Sequence, residues 1–113
     1  MDFDQFQKEC AKTDVGTSAQ DALEPGWLYY ALGVAGECGE IMEKIKKFFC
    51  DEHGVPSTKF IDAIEKEIGD VLWYLARLAD AFGLSLNQIA LKNAAKLQSR
   101  MERGKIHGDG DDR

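Results

Sequence analysis

Apolar residues recur every three or four positions along most of this chain and never alternate. That period predicts helices and no strand. Glycine and proline divide the chain into four helical stretches. The first, from Asp2 to about Lys12, carries Phe3, Phe6 and Cys10 on one face, with Asp2 placed to cap it. Residues 13–26, TDVGTSAQDALEPG, read as a loop with at most a turn of helix near Ala22. Pro25 suits the first turn of a second helix, which runs from about Gly26 to Phe49. CDEHGVPST breaks it, and Ser57 or Thr58 caps a third helix from about Lys59 to Phe82, closed by Gly83. Ser85 with Gln88 makes a capping box for a fourth helix ending near Arg103. The tail, residues 104–113, is too polar and glycine-rich for regular structure.

Plotted at about 100° per residue, the third helix has an apolar stripe of Ile61, Ile64, Ile68, Val71, Leu75, Leu78 and Phe82. Glu67 and Asp70 edge that stripe, with Tyr74 and Arg77 further along the same border. The second helix repeats the layout. Tyr30, Val34, Ile41, Ile45 and Phe48 form its stripe, and Glu37 and Glu40 edge it, with Lys44 a turn beyond. If the two stripes face each other with their borders aligned, four carboxylates converge. Each like-charge pair at 4 Å costs about 4 kcal/mol at an effective dielectric near 20. A proton or a divalent cation must offset that cost. Oxygen-only donors with no paired His or Cys favour a hard ion, Mg²⁺ or Mn²⁺. A lone ExxE or ExxD on a helix is ordinarily just solvated; two on matching borders ask for more.

Glycine weakens a helix interior by about 1 kcal/mol relative to alanine. The second helix nonetheless holds Gly33, Gly36 and Gly39 around its two acids. Those small residues leave room for a bulky ligand or a closely packed neighbour. On the fourth helix, Asn93, Lys96, Arg100 and Arg103 follow at spacings of three, four and three, one stripe able to grip phosphates. The plainer alternative is a wet helix face.

Composition narrows the rest. The 113 residues suit one domain, spanning 1–113, and the apolar fraction of 44% supports one core. No apolar run nears the roughly 20 residues that span a bilayer. The polar start, MDFDQFQKEC, is not a signal peptide. A net charge of −6 argues against a nucleic-acid partner. Three irregularly spaced cysteines point to free thiols in a reducing cytoplasm.

GECGE followed by EKEIGDVLWYL, then KNAAKLQSR and the tail RGKIHGDGDDR, resembles the MazG-like all-α nucleoside triphosphate pyrophosphohydrolases. The resemblance runs from about Tyr29 to Arg103, and the 26 residues between Glu40 and Glu67 resemble the family's usual gap. It implies an all-α, four-helix MazG-like bundle assembling as a homodimer or homotetramer. It also implies Mg²⁺-dependent hydrolysis of (deoxy)nucleoside triphosphates to monophosphate and pyrophosphate, clearing unwanted nucleotides. By resemblance, Glu37, Glu40, Glu67 and Asp70 fall on metal-ligand positions. Asn93, Lys96 and Arg100 fall on positions that hold phosphates or sugar, with Arg103 on the same stripe. One carboxylate, Glu40, or Glu67 beside it, takes the attacking water's proton. Tyr74 stacks on the base or bonds a sugar hydroxyl, or else is a core-edge tyrosine.

Other residues receive plainer readings. Glu43 turns away from the site. Cys38 turns toward the packed side and reads as core, and Trp27 and Tyr29 read as core packing, with lining of a base pocket as the alternative. Trp73 falls on the otherwise polar side of its helix, which reads as a subunit contact. Cys50 and His53 lack the second pair that a zinc site needs. Two rivals to the enzyme stand. A non-catalytic helical module would sense nucleotides or bind proteins without turnover. A dimetal oxidoreductase bundle would need Glu-x-x-His pairs, which neither acidic motif supplies.

Overall fold

A computed structural model describes residues 1–16 and 18–113. Among them are five helices and no strand: α1 (Phe3–Thr13), α2 (Ser18–Ala22), α3 (Trp27–Asp51), α4 (Thr58–Ala81) and α5 (Leu86–Glu102). Four match the expected stretches to within two residues at each end. The fifth, α2, is the turn of helix allowed near Ala22 within the segment read as loop, and it brings the four expected helices to five. A helix of five residues is too short to show a period. Thr17, in that same segment, lies outside the described residues. No helix is long and apolar enough to cross a membrane.

Local chemistry sets the helix ends. Asp2 accepts the Gln5 N–H at 2.8 Å while Gln5 Oε1 accepts the Asp2 N–H at 2.7 Å, a full capping box where a single cap was expected. Ser57 accepts the Phe60 N–H, and Ser85 accepts the Gln88 N–H, both at 3.1 Å. At the end of α4, Gly83 takes φ +67° and Leu84 N–H returns to Ala79 O at 2.9 Å. That left-handed step strains any residue with a Cβ.

The antiparallel pair α3 and α4 is the main packing unit. Equal steps up α3 and down α4 bring partners together along its length. Arg77 lies 5.4 Å over the Tyr30 ring, Tyr74 faces Gly33, and Phe48 stacks on Phe60 at 4.2 Å. Trp27, expected in the core, is 40% exposed and covers Phe82 at the open end of the pair.

Helix α1 packs on α4 and on α5. Its buried Gln7 donates to Asp80 Oδ1 and Leu84 O, and accepts the Leu86 N–H at 2.7 Å. One amide thus satisfies the α4–α5 turn. The fully buried Ala76 lies on the same side of α4, where a small side chain allows close approach. Just past α1, Asp14 accepts from Tyr30 Oη (2.5 Å), Arg77 Nε (2.7 Å) and Gln20 Nε2 (3.1 Å). Arg77 also donates to Asp80 at 2.6 Å.

The protomer is open. Its radius of gyration is 17.3 Å, against about 13 Å for a compact chain of this length. The α4 stripe is only partly used. Ile64, Val71 and Leu78 are half-buried, while Ile61, Ile68, Leu75 and Phe82, spaced by sevens, stay exposed. Helix α5 leaves Ile89, Leu97 and Met101 exposed as well.

Asp14 tests how the α1 end is held. Burial pushes its carboxyl up, but bonds from Tyr30, Arg77 and Gln20 outweigh that and bring it below the ordinary 3.8. A depressed carboxylate stabilises the fold above its unfolded pKa, and the contribution fades as pH falls through the folded one. Asp14→Asn should therefore cost about 2 kcal/mol at pH 7, read from urea midpoints. The gap to wild type should narrow below pH 3.8.

Candidate active site

The site begins at a contact with no room in it. A Cβ built on Gly33 would stand 2.1 Å from two ring atoms of Tyr74. The ring therefore lies on bare α3 backbone, which explains one glycine of the three. Four residues beyond Gly33 is Glu37, and four before Tyr74 is Asp70. On antiparallel helices these equal steps arrive at the same level. Glu67, one turn further, completes a group in which Glu37, Glu67 and Asp70 each offer an oxygen within 4.8 Å of the others.

Glu40, expected as a fourth member, is exposed and outside this trio. Its charge still reaches Glu37, whose carboxyl is pushed above the ordinary 4.5 by burial first, then by Asp70, Glu67 and Glu40. Lys44 Nζ lies 2.8 Å from Glu67 Oε1, the one ion pair of the trio among the described residues. That bond to Glu67 holds the ammonium above its ordinary pKa. Ionised, the trio with Lys44 keeps an excess of two negative charges. An oxygen-only cluster with unmet negative charge fits a hard divalent cation such as Mg²⁺. Glu43 turns away, as expected, and pairs with Lys46 at 2.9 Å.

A cleft of about 360 Å³ opens beside the trio, lined by Glu37, Asp70, Trp73 and Tyr74. That is toward the small end of ligand sites, which run from about 300 to 1,000 Å³. Burial and a bond to Tyr29 push the Tyr74 phenol up to about 12, so it stays neutral. Gly36 and Gly39 have nothing within 4 Å of a built Cβ.

The α5 stripe does not line this cleft. Asn93 and Lys96 are exposed. Arg100 is only 5% exposed and donates to Asp111 O at 2.5 Å, with its Nε unpartnered. Arg103 donates to Ser99 Oγ and Arg113 O. Two of the four expected phosphate contacts thus hold the tail against α5 here.

Two sequence readings are corrected. Cys38, read as core, is exposed, because a single neighbouring helix covers only part of the α3 surface. The face around Trp73, read as otherwise polar and wet, is instead partly covered, and the half-buried indole donates from Nε1 to Thr13 Oγ1 at 2.7 Å. The helical wheel was right about its direction, but α1 occupies that side. No periodic signal in the sequence could have placed α1 there.

The family model for the MazG nucleotide pyrophosphohydrolase domain matches residues 28–104. A curated relative, the Gene 37 protein of Mycobacterium phage L5, is 39% identical over 115 residues, covering 100% of each chain. No solved structure matches.

The glycines give a direct test. Gly33→Ala gains about 1 kcal/mol of helix propensity but overpacks Tyr74, which costs roughly 1–3 kcal/mol. It should lower the melting temperature. Gly36→Ala meets open space and should stabilise by up to about 1 kcal/mol. A loss at Gly36 instead would mean that another backbone lies against it.

Proposed function

This chain belongs to the MazG nucleotide pyrophosphohydrolase family, and from that premise we propose that it hydrolyses nucleoside triphosphates, deoxy forms preferred, to monophosphate and pyrophosphate. The observation that carries the reading is the carboxylate trio beside an open cleft. Glu37, Glu67 and Asp70 would hold Mg²⁺, with Mn²⁺ as a substitute. When bound, such an ion supplies positive charge against triphosphate oxygens and acidifies water.

The chain's own groups do the rest. Glu40, outside the trio and exposed, is free to take the proton of the water that attacks the α-phosphorus. Glu67 pairs with Lys44 in the cation's absence, so Lys44 partly neutralises the site before loading. Tyr74, kept neutral, borders the sugar as a hydrogen-bonding group. Asn93 and Lys96 meet the phosphates from α5. Arg100 and Arg103 join them only when the tail carbonyls they now hold let go.

The working form is a homodimer or homotetramer. Support comes from the extended protomer and from the open seam Ile61, Ile68, Leu75 and Phe82. Apolar rows spaced by sevens pair helices well, and a second copy is the partner this reading assigns. It also brings another cationic α5 near the assembly. The three free thiols fit a reducing cytoplasm, where unwanted nucleotides would be cleared.

A panel of triphosphates with Mg²⁺, resolved by chromatography, tests the reaction. Monophosphate with pyrophosphate is expected; diphosphate with orthophosphate would reassign the cleaved bond. Glu67→Gln should cut turnover at least roughly 100-fold while the circular dichroism spectrum stays helical. Ile68→Glu should shift the sedimenting species toward monomer. An unchanged mass would remove the seam from the interface.

A further inference from the structure

The cleft has an aromatic wall whose orientation the fold fixes. Trp73 follows Asp70 by three residues, about 4.5 Å further along the helix axis. Its Nε1–H donates to Thr13 Oγ1 at 2.7 Å, and the Thr13 hydroxyl donates to Cys10 O at 2.9 Å. The indole's single polar hydrogen is therefore committed, and the ring cannot turn without breaking a relay into α1. Tyr74 meets it at 4.9 Å and 82°, and Tyr74 is itself pressed on Gly33. The two rings make a rigid corner in the wall shared with Glu37 and Asp70.

Hydrophobic burial alone does not account for this arrangement. Trp73 is only half-buried, with part of its surface facing the cleft. A flat, immobilised π-surface one turn from a carboxylate trio suited to a divalent cation fits a flat ring whose phosphate chain that cation would hold. We propose that Trp73 is the platform on which the nucleotide's base stacks, positioned from α1 by Thr13. This deepens the pyrophosphohydrolase reading and rests on it. Stacking is tolerant of base identity because every base has a π-face. Trp73 therefore adds affinity for all bases and does not select one by hydrogen bonding.

The chain has two tryptophans, so Trp27→Phe leaves Trp73 as the sole indole emitter. In that background, the α,β-imido analogue of dATP with Mg²⁺ should quench the emission, whereas inorganic tripolyphosphate should not. Trp73→Ala should raise the KM for dATP roughly ten- to hundred-fold and leave the KM for tripolyphosphate unchanged. Trp73→Phe should recover most of the loss. Equal quenching by both probes, or equal KM changes for both substrates, would overturn the platform. If Trp73→Ala does not fold, Trp73→Phe and the quenching decide. Should the wild type cleave no triphosphate, the activity reading fails, and the equilibrium quench still judges the platform.

Discussion

The ring of Tyr74 resting on the backbone of Gly33 is the contact from which the site follows. Two long helices with apolar stripes can slide by a turn at modest cost, because one aliphatic contact replaces another. A ring seated where no Cβ exists resists sliding, since four residues away along the same face α3 presents Tyr29 on one side and Glu37 on the other. With the register locked there, Glu37 meets Asp70, Tyr30 meets Arg77, and Phe48 meets Phe60. The helix penalty of Gly33 is offset by a fixed alignment.

That alignment gathers charge against its own interest. Glu37 is driven toward its protonated form by burial and by three neighbouring carboxylates. Lys44 relieves only Glu67. Exposure of Asp70 lets water screen part of the remainder. The cluster is tolerable as it stands, and a cation placed among the three carboxylates would relieve the repulsion that remains. Just past α1, Asp14 shows the contrary balance, where three donors overcome burial and lower the carboxyl's pKa. A carboxylate is thus pulled below or pushed above its ordinary pKa according to the donors supplied around it.

The unused half of the α4 stripe is the other large physical fact. Among the described residues four apolar ones are buried, Cys10, Phe48, Ala76 and Ala79, which makes a thin core. The exposed heptad row and the α5 aliphatics would be covered if copies of the chain associated through them. Association would then be part of folding, and the two would be measured together.

Helix number apart from α2, the capping residues Asp2, Ser57 and Ser85, and the two acid-edged stripes were all legible in the sequence, because they depend on spacing along one helix. Sequence patterning thus determined an all-α chain with paired acidic borders, and the family resemblance agreed with it. It did not separate Glu40 from the trio, put Cys38 at the surface, or foresee that Arg100 and Arg103 hold the tail. Nor did it find Gln7 inside the α4–α5 turn or Thr13 behind Trp73. The arginine contacts depend on how the tail folds back on α5, and the others on how α1 crosses α4 and how α3 registers against it. Such relations join residues up to 79 positions apart, and a local period carries no information about which distant face will arrive. Only the tertiary structure decided them, through one steric fit at Gly33 and the hydrogen bonds that tie down α1 and the tail.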